Sequence, residues 1–411
     1  MHATAIRGAV DARLDDGAAL LADLIAEPST AGREAGAQAR MYEALQGIGL
    51  DAAYHEIPES LRQDPEYSHA DVEPPYAGRH NVVAAWPGAR SGRSIILSSH
   101  TDVVPAEGWP EAFAPKRDGT TIAGRGAADA KGQMVTAWVA LAALGDIGYE
   151  PAGTVEVHSL IEEEVGGNGA LALLREGRLA DGAIVLEATE GQVHPANRGA
   201  LWFRLSVTGK PVHMGRLQEG VSALDKMVEV IARLKQYGER LVAESRNVPQ
   251  FERYEQPVQL NIGTIRGGEW PSMVPGEATI EGGVGFLPNK RLDDVKRDLR
   301  AVVEALPDEW TRMHYTLDFP KLHNDAYAIP ADHPLPQTLA AAARDVGLPG
   351  EVFGWNVSCD ARLYYHVGGM PTVVFGPGQV AQAHSVGERI DLEDIRSAAE
   401  ALALFVVRWC A

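Results

Sequence analysis

The stretch "IILSSHTDVVP", residues 95–105, decides how the rest of the chain is read. Ile95, Ile96 and Leu97 form a short apolar run of the kind that fills a buried strand. It breaks off at His100 and Asp102, two residues apart. Side chains at i and i+2 of an extended chain face the same side. A core strand therefore delivers an imidazole and a carboxylate together at its carboxyl end.

Other segments end the same way. "TVEVHSLIEEE" (154–164) is a strand that runs into Glu162, Glu163 and Glu164. "GAIVLEAT" (182–189) ends on Glu187, and "PTVVFGPG" (371–378) leads a few residues on to His384. Between the first two lies the Gly-rich "GRGAADAKGQ", which places Asp129 just before an apolar helix at 132–148. Strands at 81–88, 94–100, 154–164 and 182–189 alternate with helices. That pattern predicts an α/β fold with a mostly parallel central sheet and helices on both faces. In such sheets ligands bind at the carboxyl ends of the strands, so groups far apart in sequence converge on one edge.

The middle of the chain follows another rule. A strand at 200–209, an amphipathic helix at 221–241, strands at 259–268 and 277–288, a helix at 291–306 and a strand at 313–320 give the order β-α-β-β-α-β. This is the ferredoxin-like α+β unit. It predicts a small domain at 198–318 inserted into a larger, discontinuous one at 1–197 and 319–411. Residues 55–80, long, polar and Pro-rich, are expected to be a surface loop.

Bulk properties exclude several roles. The chain has 411 residues, 45% of them hydrophobic, and a formal net charge of −19. So acidic a protein does not suit nucleic acid, which is bound by basic surface. Its two cysteines, Cys359 and Cys410, are too few for a disulfide framework or a thiolate zinc site. A reducing compartment follows as the expectation, and the start reads as an amphipathic helix rather than a signal peptide. No stretch approaches a membrane span. The chain reads as cytoplasmic, with a small-molecule substrate and neither nucleic acid nor membrane as partner.

Two imidazoles with several carboxylates suit zinc, with cobalt or manganese as alternatives, better than calcium or copper. One carboxylate on an exposed loop can bridge two ions. Asp102 can accept the second N–H of His100 and fix its tautomer. A remaining glutamate is free to act as general base on a water activated by metal.

The ordered motifs "SSHTDVVP", "GRGAADAKG", "IEEEVGGNGA", "GAIVLEAT" and "GPG…AHSVGE" resemble those of the dinuclear zinc aminoacylase family of metallopeptidases. That family includes acetylornithine deacetylase, succinyl-diaminopimelate desuccinylase and glutamate-type carboxypeptidases. The resemblance spans nearly the whole chain. It implies two divalent metal ions per chain and hydrolysis of amide-type C–N bonds in small N-acyl amino acids or dipeptide-like substrates. It implies His100, Asp129 and Glu164 as ligands of one ion, and Asp129, Glu187 and His384 as ligands of the other, with Asp129 bridging. Glu163 matches the general base and Asp102 the residue that orients a ligand, while Glu162 faces away. The inserted domain matches a lid that also forms a homodimer. "GKPVHMG" resembles a lid motif whose histidine, here His213, polarises the substrate carbonyl.

The chain departs from the family in the lid. Ser272 stands where members often carry an Asn, and Gly285 or a neighbour where they carry an Arg that grips a substrate carboxylate. Arg216, Arg266 and Arg362 are the candidates to replace it. His158, His194 and His366 belong to no motif and read as structural, and Cys359 reads as a buried small residue. Three other readings stay open. The same site could cleave a non-amide C–N bond, such as that of an amino-substituted aromatic acid. It could work with one tightly held metal. Or the fold could be a metal-bound binding protein with no catalysis.

Overall fold

The computed structural model describes residues 3–411, which divide into two compact units. The first comprises the described residues up to 196 together with 329–353 and 359–411, and the second residues 197–328 and 354–358. The second unit is thus longer at its carboxyl end than the repeating β-α-β-β-α-β pattern suggests. The cause is a short return strand, His323–Asn324, which pairs with Leu201 and Ala200.

In the first unit a six-stranded sheet is built from β1 (Asp51–Glu56), β2 (His80–Trp86), β3 (Ile95–His100), β4 (Val155–Leu160), β5 (Ala183–Leu186) and β10 (Thr372–Phe375). Its order is β1-β2-β4-β3-β5-β10. β4, β3, β5 and β10 run parallel, and β2 is antiparallel to both of its neighbours. β3 is buried along its whole length, which is why it reads as an unbroken apolar run before its polar end.

The two faces of β3 divide its side chains. Ile95 and Leu97 join the main core with α1 (Ala3–Ala26), α2 (Ala35–Gly47), α3 (Lys131–Asp146), α7 (Pro334–Asp345) and α9 (Leu392–Trp409). Ser98 faces the other way, where its hydroxyl accepts a 2.8 Å bond from Tyr364 in α8 (Ala361–His366). α4 (Asn168–Arg175) packs beside α8 on that side. α3 is buried almost all round, as its uniformly apolar sequence requires.

The segment 55–80 is mostly the exposed connection that its composition suggests, but part of it folds inward. It begins in β1, makes a 3₁₀ turn at Glu59–Gln63 and ends in β2. Tyr67, Tyr76 and Arg79 are each less than 5% exposed. They bury because they hydrogen-bond one another and a carboxylate beside the candidate site, which a polar composition alone does not reveal.

The second unit is an antiparallel sheet of β6 (Gly199–Thr208), β7 (Leu260–Gly267), β8 (Glu277–Phe286) and β9 (Tyr315–Asp318), in the order β7-β8-β6-β9. This is the ferredoxin-like arrangement. β6 alternates buried and open positions, and α5 (Ala223–Ser245) and α6 (Leu292–Glu304) are the long helices of this unit, α5 packing on the sheet. Among the described residues no helix is long and apolar enough to cross a membrane.

α1 and α3 cross closely at Gly17, where a Cβ would lie 2.7 Å from Val139 Cγ2 and 3.3 Å from Val135 Cγ1. Overfilling a packed contact costs about 1–3 kcal/mol. Gly17→Leu is expected to lose stability of that order in urea unfolding, whereas Gly8→Ala, which meets nothing within 4 Å, is not.

Candidate metal centre

The parallel register brings the strand ends to one edge. His100 pairs with Leu160, the last residue of β4, and Leu186 with Phe375, the last residue of β10. The groups that follow these residues then converge. His100 Nε2 lies 3.2 Å from Asp129 Oδ1, 3.9 Å from Glu187 Oε1 and 4.0 Å from Glu163 Oε2. His384 Nε2 lies 3.3 Å from Asp129 Oδ2 and 3.0 Å from Glu164 Oε2. His100, Asp129 and Glu164 offer ligand atoms that all lie within 4.8 Å of one another. The five residues expected as ligands and Glu163 are therefore brought together. His213 lies in the second unit, exposed, and its Nδ1 accepts a 3.1 Å bond from the Gly215 N–H.

Electrostatics at this edge is severe. Asp102, Asp129, Glu163, Glu164, Glu187 and Asp360 crowd around two imidazoles. Burial pushes the Glu163 and Glu187 carboxyls well above the usual carboxylate range, and the neighbouring carboxylates push further while His100 opposes them. Burial also raises Glu164, with the charge of Asp129 adding to it. Burial acts against charge on His100, yet the nearby carboxylates of Asp102 and Asp129 outweigh this and raise it. Bonds to Asp129 and Glu164 push His384 up to about 10. Burial is the largest influence on Asp129, but the two histidines overcome it and hold the carboxyl low.

The polar groups behind this edge fix its shape. Both carboxylate oxygens of Asp102 accept backbone N–H groups, from Glu163 at 3.2 Å and Glu164 at 3.1 Å. This modifies the orienting role read from H-x-D. The nearest oxygen to His100 Nδ1 is the Asp102 backbone carbonyl at 3.0 Å, and the carboxylate, engaged by the Glu turn, stands at 3.5 Å. Glu162 turns away from the centre. It accepts from Arg79 at 2.6 Å, the Tyr76 hydroxyl at 2.6 Å and Asn168 Nδ2 at 2.9 Å. Its φ of 64° is a left-handed conformation uncommon outside glycine, held here by those three bonds. Arg79 also donates to both oxygens of Glu34.

Sequence reasoning missed several residues of this shell. Glu388, four residues past His384, is fully buried. It accepts from the N–H groups of Ala128 and Asp129, at 2.9 and 3.0 Å, and from Arg125 at 2.7 Å. It thereby fixes the loop that carries Asp129. Its sign in the sequence was a carboxylate directly after "HSVG". Asp360 is buried, and burial lifts its carboxyl to about 7. Arg362 is buried and donates to the Gly166 carbonyl at 2.9 Å. Arg216 is exposed and pairs with Glu219, and Arg266 is exposed on β7. His158 is held by Tyr364 and Glu156, and His194 by the Phe353 carbonyl. Cys359 is buried, as read from the sequence.

An imidazole-and-carboxylate cluster at the carboxyl edge of a parallel sheet, with a second ferredoxin-like unit, defines a metallohydrolase of the peptidase type. Residues 96–408 match the model of Peptidase family M20/M25/M40, and the chain belongs to that family. It is a hydrolytic enzyme that acts on amide bonds. Over 368 residues it is 27% identical to the N-formyl-4-amino-5-aminomethyl-2-methylpyrimidine deformylase of Bacillus subtilis (strain 168), covering 82% of this chain and 84% of that protein. The structure of an M20 family metallo-carboxypeptidase from Sulfolobus solfataricus shares the fold, with a TM-score of 0.75 at 15% identity over 96% of this chain and 99% of that one. So does a Bacillus subtilis structure described as a dinuclear metal binding peptidase of the same family, with a TM-score of 0.65 at 18% identity over 97% and 99%.

Among the described residues Arg79 is the sole cation bonded to the buried carboxylates Glu34 and Glu162, both at most 5% exposed. Removing one partner of a buried ion pair costs about 3–5 kcal/mol because the other charge is left uncompensated. Arg79→Met is expected to lose stability of that size in urea unfolding, and Glu34→Gln combined with it to regain part of the loss.

Proposed function

We propose that the chain is a dinuclear metal-dependent amidohydrolase of small N-acyl amino acids or dipeptide-like amides. The observation that carries two ions is the orientation of Asp129. Its Oδ1 faces His100 and its Oδ2 faces His384, at 3.2 and 3.3 Å, as a bridging carboxylate requires. Two buried ligand atoms, His100 Nε2 and Glu164 Oε1, have no hydrogen-bond partner, which fits donors meant for a cation. The crowded carboxylates fit the same purpose, since bound cations offset their repulsion.

The distances favour a different sorting of ligands from the one that the sequence motifs imply. His384 Nε2 stands 3.0 Å from Glu164 Oε2, and His100 Nε2 stands 3.9 Å from Glu187 Oε1. We therefore pair His384 with Glu164, and His100 with Glu187, each set sharing Asp129. The donor set suits zinc first, then cobalt or manganese.

When bound, the ions polarise the scissile carbonyl and make water acidic enough to attack near neutral pH. The chain's own part is proton movement and positioning. Glu163, buried beside His100, takes the proton of the attacking water and returns it to the departing amine. Asp102 clamps the Glu163 and Glu164 backbone so that the base and its neighbouring ligand keep their places. Glu388 does the same for Asp129. His213 donates to the developing oxyanion. Pairing of Val212 with Val274, and of Met214 with Ser272, supports this by holding its segment in a fixed hairpin-like contact.

We further propose a homodimer formed through the second unit. β7 is an edge strand with a bulge between Ile262 and Thr264, and Ile265, Trp270 and Met273 near it are exposed. An open edge with apolar side chains is a pairing surface. The two unbridged cysteines support a reducing compartment, the cytoplasm.

Glu163→Gln is expected to retain its metal, as read by elemental analysis, and to lose about 10²–10⁴-fold in kcat on an N-acyl amino acid. Normal turnover by that variant shows that another residue is the base. Asp129→Asn is expected to lose metal content as well as activity.

A further inference from the structure

The inserted unit carries a cavity of its own, and its chemistry is specific. Helices cover one face of the β6–β9 sheet. On the other face β8 presents Glu281, Gly283 and Gly285, the alternate positions Ile280, Val284 and Phe286 being buried. Gly283 pairs in register with Trp202, and Gly285 with Ala200. The missing side chains leave a trough of about 480 Å³ along the sheet, a size that suits a small ligand. Its floor is flat glycine backbone. One wall is Trp202, 48% exposed, whose Cδ1 would lie 3.4 Å from a Cβ at Gly283. The opposite wall is formed by the amides of Gln259 and Asn261.

Arg198 closes one end. Its guanidinium occupies the space above Gly285, where a Cβ would lie 3.0 Å from its Nη1. Nη1 donates to Gln259 Oε1 at 2.5 Å, and the buried Nε has no hydrogen-bond partner. Burial pulls its pKa below the usual guanidinium value, and no carboxylate among the described residues opposes this. The acid in the trough is already neutralised, since Glu281 accepts from Arg204 Nε at 2.8 Å and Nη2 at 2.6 Å. Lys321 adds positive potential, with its Nζ 5.7 Å from the Trp202 ring centroid. A desolvated guanidinium fork without an anion, next to an indole and a flat floor, describes an incomplete recognition site.

We propose that this trough binds a planar ring bearing a carboxylate, the ring lying against Trp202 and the glycine floor and the carboxylate accepting from Arg198. If the chain hydrolyses N-acyl amino acids as proposed above, its substrates carry the carboxylate, and those with an aromatic side chain carry the ring as well. That consequence rests on the hydrolase reading, whereas the binding does not. The position also accounts for the glycine at 285, since a Cβ there would lie 3.0 Å from Nη1 of Arg198, the residue just before β6.

The test is equilibrium binding to the metal-loaded full chain, by calorimetry, of benzoate, benzamide and acetate. Hydrolysis plays no part in it, so a wrong catalytic assignment leaves the readout intact. Wild-type protein is expected to bind benzoate saturably and more tightly than either control. Arg198→Met is expected to weaken benzoate by about tenfold or more while leaving benzamide unchanged, because a charge-assisted bond is lost. Trp202→Leu, at a half-exposed site, is expected to weaken benzoate and benzamide together. Both variants should keep the wild-type thermal midpoint, as Arg198 has no acidic partner to strand. No saturable binding of benzoate overturns the proposal. So does equal affinity of benzoate for wild type and Arg198→Met, which places the ligand elsewhere, the metal centre included. Equal affinity for acetate and benzoate removes the ring from the recognition.

Discussion

The structure is organised around unbalanced negative charge at one edge of a parallel sheet. Asp102, Asp129, Glu163, Glu164, Glu187 and Asp360 meet around His100 and His384. Such a cluster repels itself and costs burial energy, so a fold keeps it only when a cation offsets it or a shell of donors fixes it. The shell of donors is present here, and the atoms that face the centre are left for the cation. The ligand atoms His100 Nε2 and Glu164 Oε1 are left without partners, whereas the carboxylates that do not face the centre are saturated with donors. Asp102 takes two backbone N–H groups, Glu388 takes two and an arginine, and Glu162 takes three side-chain donors.

That division assigns each carboxylate its work. Acids with no spare oxygen hold backbone, and acids with a spare oxygen face the reaction. Glu162, Glu163 and Glu164 are adjacent in sequence but fall into different classes, because the left-handed turn at Glu162 points it away from its neighbours. The strap through Tyr67, Tyr76 and Arg79 thus supports the turn that presents Glu163, the proposed base. A polar segment far from the motifs in sequence becomes part of the support of the centre.

Much of this was legible in the sequence. The apolar runs that end in His100, Glu162–Glu164 and Glu187 gave the sheet and the edge, because a parallel sheet puts its carboxyl ends together whatever the loop lengths. The order of elements gave the ferredoxin-like unit. What was not legible depends on contacts between distant segments. No local pattern shows that Glu388 caps the Asp129 loop, that Tyr76 and Arg79 fold inward, or that the Asp102 carboxylate serves the Glu turn more closely than it serves His100. The sorting of ligands between two ions is likewise a matter of ångströms. The empty position at Gly285 was visible as a departure, but its filling by Arg198 needed the register of β6 on β8.

The most direct measurement is anomalous diffraction at the zinc edge from crystals of the protein grown with zinc. Two peaks are expected, one on each side of Asp129, the first within bonding distance of His384 and Glu164 and the second of His100 and Glu187. A single peak, or peaks away from Asp129, would contradict a dinuclear centre bridged by that carboxylate.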